Sequence, residues 1–582
     1  MGLYVLSAQR LCLSPSECKH PWRTIGWYTR RMGEQIRKAV QAALETTGAR
    51  DIPFAVERPA DPAHGDYATN AALAAAKMLG RNPRELADGL ARSLAETLGE
   101  VVSHVAVAGP GFVNITLARE AVVFAVAEAD AKGVEWGKAK TAEGGSPDAS
   151  QGEAFRGKRV MVEYTDPNPF KEMHIGHLMS NAVGESIARL FESSGASVYR
   201  ANYQGDVGLH VAKAIWGKQQ KPEFSWGEAY VFGSKQYDEH KEEIDALNKG
   251  IYEKSDSRIN ALYDEGRAES LENFEKIYQM LGTKFVYYFF ESEVGPIGVS
   301  LIKQHPEIFE KSDGAVVFKG ETYGLHTRVF ITSNGLPTYE AKELGLVAAK
   351  KARGNFDVSL TVTANEIQEY FKVVRKAAER VFPELEGKML VRFHGLLKLT
   401  TGKMSSREGN VITAAGFIKE IIEKAGEKNP DPLIAEQVAV GAIKYMILRQ
   451  APGSDIVFDE EKSLSLDGDS GPYLQYALVR AKKILAYGSQ GAGGTEEPAE
   501  PYAIERLILH FPDVAARAAR ELAPNLLTTY LTELAAAWNA FYATEQVLGS
   551  PEEAYKQRLT RAFANTMTNG LTLLGIPAPE KM

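Results

Sequence analysis

The stretch from Arg159 to Gly208 constrains the fold more than any other part of the chain. Val160-Met161-Val162-Glu163-Tyr164 reads as a short apolar strand, and Pro167-Asn168-Pro169 breaks it. His174-Ile175-Gly176-His177 follows, after which Val183, Ile187, Leu190 and Phe191 recur at helical spacing. Val198-Tyr199-Arg200-Ala201-Asn202 reads as the next parallel strand, ending in Gly205-Asp206-Val207-Gly208. Strand, turn, helix, strand is a βαβ unit. A sheet built from such units binds its ligand at the carboxyl ends of its strands.

Two histidines bracketing a glycine at a helix entrance suit a nucleotide. The helix N-terminus offers unpaired N–H groups and partial positive charge to phosphates. Gly176 lets the ligand approach the backbone, and His174 and His177 can donate to phosphate oxygens. Surface or zinc-bound histidines are the plainer reading. Yet His-x-Gly-His arises by chance only on the order of 0.02 times in a chain of this composition. Zinc would need further ligands at suitable spacing, and the two cysteines, Cys12 and Cys18, both lie near the N-terminus. A second motif stands far downstream: Gly402-Lys403-Met404-Ser405-Ser406, then Arg407-Glu408-Gly409-Asn410. Read alone, Lys403 is an exposed loop lysine. Paired with the histidine motif, it is the point charge that a departing pyrophosphate needs.

The remaining sequence frames these motifs. At 582 residues the chain is long enough for about three to five domains. Its 44% hydrophobic and 24% charged residues support folded cores, and no run of 18 apolar residues suggests a membrane span. With 67 basic against 75 acidic residues, the net charge of −8 argues against indiscriminate nucleic-acid binding; any RNA must be met by local basic stripes. Residues 1–31 are basic and lack a long apolar core. They read either as a transit-like leader or as an over-extended start before Met32, and in both cases as non-functional. Residues 32–118 read as a small α+β domain: Ile36, Val40, Ala43 and Leu44 on one helix face, an Ala-rich helix over His64–Leu79, another opening at Asn82-Pro83, and a hairpin around Gly109-Pro110-Gly111. Residues 119–157 are a helix and a linker.

These motifs are the two signatures of class I aminoacyl-tRNA synthetases, and the chain resembles the arginyl-tRNA synthetases from about Met32 to its end. The resemblance is carried by Val162–Asn168 leading into His174–His177, Gly205-Asp206-x-Gly208, Pro337-Thr338-Tyr339 with Glu343, Gly471–Ala477 and the ending Leu573–Met582. It implies a multidomain α/β fold. A Rossmann-type catalytic domain would span 158–415 with an insertion near 217–322. The N-terminal α+β domain would bind tRNA, residues 416–465 would connect, and an all-α anticodon-binding bundle would occupy 466–582. It further implies catalysis by His174, His177 and Lys403, and ATP contacts from Gly176, Gly205, Asp206, Met404, Ser405 and Ser406. Glu163, Asp166, Asn168, Tyr339 and Glu343 would line the arginine pocket; Tyr473, Tyr476, Arg480 and Met582 would meet the anticodon. The expected cofactor is ATP with Mg²⁺, with no structural metal. The expected partners are L-arginine and tRNA(Arg), for a cytoplasmic monomer without membrane attachment.

Residue chemistry agrees with arginine, because a guanidinium needs carboxylates and neutral acceptors matching its fork. Tyr339 and Glu343 share one helix face at i,i+4. The chain departs from the family at Glu343, usually Asp, at Asp166, often Ser, and at Gln204, often His. Tyr473, Tyr476 and Arg480, three and four apart, form a stripe on which unpaired bases can stack. Two other readings are a different class I synthetase and a non-catalytic RNA-binding paralogue. The first fails on the small insertion and missing thiolates, the second on the intact His174, His177 and Lys403. Lys403→Ala is expected to lower kcat for adenylate formation by about 2.7–4 kcal/mol in barrier with arginine affinity retained. An equal loss of arginine affinity, read from exchange kinetics, would move Lys403 into ground-state binding.

Overall fold

The computed structural model describes residues 32–139, 155–399, 412–488, 494, 496–498 and 500–582. Lys403, Met404, Ser405 and Ser406 lie outside them.

At the centre is a five-stranded, wholly parallel sheet in the order Met389–His394, Val358–Ala364, Arg159–Glu163, Ser197–Gln204, Tyr287–Phe290. The first of these five strands in sequence, Arg159–Glu163, is the middle one. Its left and right neighbours are the fourth and second strands in sequence, so the order reverses there and a crevice opens above it. Both faces of this strand are covered, which explains the unbroken apolar run Val160–Val162, each residue buried. Helix Ile175–Ser193 crosses one face with Ile175, Leu178, Ile187, Leu190 and Phe191 inward.

The sheet corrects the expected insertion. Tyr287–Phe290 is the sheet's edge strand, yet it falls within 217–322. The helical addition ends with helix Ser257–Met280. Four aromatics in a row have no period by which to distinguish a strand from a loop. A second correction concerns His64–Leu79. Its helix starts only at Ala71, and Tyr67–Thr69 is a strand paired with Phe112–Leu117. Gly65 at φ 88° turns the chain, and the buried Asp66 carboxylate accepts from the Leu117 N–H at 2.8 Å. Those tertiary bonds outweigh the alanine-rich local preference.

The N-terminal sheet, ordered Val56–Glu57, Tyr67–Thr69, Phe112–Leu117, Val102–Ala108, is antiparallel. Helices Met32–Thr46, Ala71–Leu79 and Pro83–Leu98 build its core. It docks on the C-terminal helices through Arg119 with buried Glu505, Arg506 with Asp66, and the Tyr67 hydroxyl donating to Asp513 at 2.8 Å. Helices Gly471–Tyr487, Ala503–Glu521, Pro524–Thr544 and Glu553–Leu573 form the C-terminal bundle around Trp538, Phe563 and Leu531.

One close crossing positions the site. Helix Glu291–Gln304 leaves the edge strand and packs on helix Tyr339–Arg353 at Gly298 and Gly345. A Cβ on Gly298 would stand 1.8 Å from the Ala341 carbonyl oxygen, and one on Gly345 would stand 2.0 Å from that of Val294. Gly345→Ala should force the helices apart, cost about 1–3 kcal/mol of stability and raise KM for arginine, since the moved helix carries Tyr339 and Glu343. Urea melts and steady-state kinetics test this; an unchanged melt would mean that the crossing can relax freely.

Candidate active site

The carboxyl ends of the five strands place Glu163, Gln204, Phe290, Ala364 and His394 on one rim. Immediately beyond the middle strand the backbone takes left-handed conformations at two consecutive non-glycine residues, Thr165 (φ 78°) and Asp166 (φ 49°), and again at Phe170 (φ 68°). Such conformations cost about 1–3 kcal/mol each and persist only where surroundings hold them. Here the Ser180 hydroxyl accepts from the Thr165 N–H at 3.0 Å, Asn181 donates to the Thr165 hydroxyl at 3.0 Å, and Asn202 donates to the Tyr164 carbonyl at 3.1 Å. The strained turn aims Asp166 and Asn168 back toward the rim.

His174 is the N-cap of helix Ile175–Ser193. Its Nδ1 accepts from the Gly176 N–H at 3.1 Å, and Nδ1 of His177 accepts from the His174 N–H at 3.0 Å. With both Nδ1 atoms accepting, each neutral ring carries its proton on Nε2. Burial, with Lys171 adding its charge, pushes His174 below the usual histidine range. Burial and the His174 ring push His177 further down. The rings lie 3.9 Å apart between centroids. The site thus presents two neutral Nε2–H donors above a helix N-terminus, which suits phosphate oxygens. Thr413 forms a backbone bridge with His174, and the Ala414 N–H donates to the Met173 carbonyl at 2.7 Å. The chain therefore returns from the Lys403 motif directly beside the histidines.

The second cluster is acidic. Glu163 is 1% exposed and stands 2.6 Å from the Lys350 ammonium, itself 5% exposed. Asp166 accepts from the Tyr203 N–H at 2.8 Å. Burial, then the Glu163 charge, raises Asp166 well above the usual carboxylate range. The same two causes push Glu343 up to about 8, with Lys350 opposing them. Buried together, these carboxyls are biased toward their protonated forms, a bias that a cation placed among them opposes. Glu291 and Lys342 form a second buried pair at 2.6 Å. Tyr339 opens the helix at the pocket mouth, 67% exposed. Asn168 approaches Gly205 so closely that a Cβ there would stand 2.2 Å from its side-chain oxygen. That approach is what requires glycine at 205.

Asp206 was expected at ATP and is found elsewhere. It is fully buried and accepts from Ser292 N–H (2.9 Å), Ser292 O–H (2.7 Å), Tyr263 O–H (2.8 Å) and Arg267 Nε (3.2 Å). It ties the turn after the second strand to the helical addition and to the start of helix Glu291–Gln304, buried away from the open rim. In the C-terminal bundle, Arg480 lies over Tyr476 (5.4 Å) and over Tyr542 (4.0 Å), and donates to Asn539 at 3.3 Å. Tyr473 packs half-buried against the core, and Met582 ends a tail whose Pro577 carbonyl accepts from Gln475 at 2.9 Å.

Residues 147–460 match the family "tRNA synthetases class I (R), catalytic domain", which covers more than half of the chain. The chain belongs to the arginyl class I tRNA synthetases. Residues 34–117 match "Arginyl tRNA synthetase N terminal domain" and residues 474–582 match "DALR anticodon binding domain". The arginine–tRNA ligase of Clostridium beijerinckii is 28% identical over 587 residues, covering 95% of this chain and 100% of that one. That of Clostridium perfringens is 29% identical over 591 residues, with coverage of 95% and 100%. The arginyl-tRNA synthetase structure of Thermus thermophilus superposes at a TM-score of 0.79 with 26% identity, covering 94% of this chain and 99% of that one.

In this synthetase, sequence reasoning missed Lys350, Lys342, Glu291, Tyr203 and His394. Two of them were legible: Tyr339, Lys342, Glu343 and Lys350 recur at i, i+3, i+4 and i+11, one face of a helix. Tyr203 and His394 reach the rim from two separate strands, and Glu291 from the start of helix Glu291–Gln304. His177→Asn keeps an oxygen that can accept from the His174 N–H but removes the Nε2–H donor. It should lower kcat for adenylate formation about 10²–10³-fold while leaving the melting temperature nearly unchanged. A large loss of stability with little loss of kcat would make His177 a helix cap only.

Proposed function

We infer that the chain joins L-arginine to tRNA(Arg) through an arginyl-adenylate, consuming ATP and releasing AMP and pyrophosphate. The observation that carries this reading is the placement of a carboxylate pocket beside a pair of neutral histidine donors on one sheet rim. MgATP enters as substrate, its phosphates at the N-terminus of helix Ile175–Ser193. The arginine carboxylate attacks the α-phosphorus; a carboxyl oxygen–phosphorus bond forms and the bond to pyrophosphate breaks. The nucleophile is already anionic, so no general base is required, and positioning plus charge stabilisation carry the step. His174 and His177 donate to phosphate oxygens, and Lys403 meets the pyrophosphate as it leaves. The terminal ribose hydroxyl of tRNA then takes the arginyl group, releasing AMP.

Glu163, Asp166 and Glu343 supply the carboxylates for the guanidinium, and Asn168 and Tyr339 complete the pocket. Tyr473, Tyr476 and Arg480, with Tyr542 beside them, offer rings and a cation to anticodon bases. Among the described residues no helix is long and apolar enough to cross a membrane.

Amino-acid-dependent pyrophosphate exchange across the twenty amino acids, with and without tRNA, tests the reading. Arginine alone is expected to support exchange, and only with tRNA present; another preferred amino acid would refute it. Glu343→Gln keeps shape but removes charge, and should weaken arginine binding by about 3–5 kcal/mol while sparing citrulline, whose ureido group is neutral. Equal losses for both ligands would leave Glu343 a role in shape alone.

A further inference from the structure

Tyr203 stands one residue before the end of strand Ser197–Gln204, and its hydroxyl is buried with no hydrogen-bond partner among the described residues. The groups facing that hydroxyl are Glu291, Glu343, Tyr370 and Glu163, each from a different element. We propose that Tyr203 is a specificity-determining residue of the arginine pocket: its hydroxyl oxygen accepts an N–H from the substrate guanidinium, and its own proton turns to a neighbouring carboxylate. This rests on the arginine pocket inferred above and adds to it a residue outside the motifs that carry the family likeness.

The backbone fixes where this side chain goes. Pairing between the middle strand and its neighbour ends at Glu163 and Ala201, and two residues on the Tyr203 N–H donates to the Asp166 carboxylate at 2.8 Å. Side chains alternate along a strand, so Ala201 and Tyr203 share one face of the sheet while Asn202 and Gln204 take the other. On its face Tyr203 packs half-buried in the cluster that includes Ala201, Phe289, Val294 and Leu346. Glu291 precedes Val294 by three residues, and Glu343 precedes Leu346 by three. Each carboxylate therefore lies one turn nearer the rim on a helix that covers the ring. The crossing at Gly298 and Gly345 fixes the two helices against each other. The ring thus stands on an apolar floor with its hydroxyl raised among carboxyls, none of which comes within hydrogen-bond distance.

The chemistry of that hydroxyl selects its guest. Burial, with the charges of Glu291 and Glu343 beside it, raises the Tyr203 pKa well above its usual value, so the group stays neutral. Leaving a buried hydroxyl unpaired is costly, and a donor that enters among carboxyls is best a cation. A guanidinium carries five N–H donors in one plane, of which a single bidentate carboxylate takes only two. Asp166 and Glu343 are biased toward their protonated forms, whereas the lone pairs of a hydroxyl do not depend on ionisation.

The test compares full-length Tyr203→Phe with the wild-type enzyme in tRNA-dependent aminoacylation and in thermal melts without ligands. The substitution keeps the ring and its packing and removes only the hydroxyl. KM for arginine should rise by about 10- to 100-fold, the range for losing a hydrogen bond to a charged group. Both kcat and KM for ATP should stay within about twofold, because a contact made equally in ground and transition states changes KM for its own substrate alone. The melting temperature of the ligand-free variant should equal or exceed that of the wild type, since a buried hydroxyl without a protein partner has no internal bond to lose. A purely structural hydroxyl would give the opposite pattern, a lower melting temperature with no preference for arginine among the kinetic losses. An unchanged KM for arginine, an equal rise in KM for ATP, or a lowered melting temperature overturns the proposal. Failure of the arginine reading itself is read separately, from the amino acid that the wild-type enzyme prefers in pyrophosphate exchange.

Discussion

The structure depends on the pairing of strand Arg159–Glu163 with two partners drawn from distant parts of the chain. Val358–Ala364 lies on one side in the register Leu360 to Val162, and Ser197–Gln204 on the other in the register Val198 to Val160. Parallel strands cannot be joined by a tight turn, so each neighbour needs a crossover, and the second crossover leaves room for the whole helical addition. The reward is a rim on which a turn, a helix N-terminus and a second helix converge. The histidine pair and the buried carboxylates hang from that rim or from the helices that begin beside it.

Electrostatics divides the rim in two. On one half, the neutral His174 and His177 leave the helix N-terminus free to attract phosphate. On the other, carboxylates outnumber cations, and the two buried lysines Lys342 and Lys350 limit the excess. With no internal cations these carboxyls would be pushed still further toward their protonated forms. A pocket with every carboxylate paired would have no need of the substrate. The observed arrangement leaves Asp166 and Glu343 under-compensated, which suits a cationic ligand that brings its own charge.

A third network ties the rim to the C-terminal bundle. Glu185, buried on helix Ile175–Ser193, accepts from the Tyr164 hydroxyl and pairs with Arg189 (2.7 Å) and Arg200 (2.9 Å). Burial alone would raise its pKa, but Arg189 and Arg200 outweigh that and hold it below the usual range. Arg189 also donates to the Thr572 and Gly282 carbonyls, at 3.0 and 2.9 Å. Lys444 donates to Leu281 and Gly575, at 2.5 and 2.7 Å. Burial and then Arg189 pull its pKa down to about 7. The helix that presents the histidines is thus fastened to the last turns of the bundle by charged groups whose acceptors are helix-terminal carbonyls.

Local information was sufficient for much of this. The βαβ unit, the hairpin at Gly109–Gly111 and helices such as Arg119–Lys132 follow from apolar period and turn residues, both short-range properties of a chain. The histidine pair was legible because its chemistry depends on three consecutive spacings at one helix start. Other features were not. Tyr287–Phe290 became a strand only because Ala201–Gln204 offered it an open sheet edge. Asp206 looked like a nucleotide ligand until Ser292, Tyr263 and Arg267 closed over it from elements far along the chain. Glu163 carried the family motif, but which cation it would face could not be read from its neighbours. Period and spacing along the sequence determined which elements form and where a phosphate could bind. Which carboxyls are held ionised and which are pushed toward the protonated form was decided by tertiary packing, because Coulomb energy and desolvation depend on distances through space between residues that sequence separation does not encode.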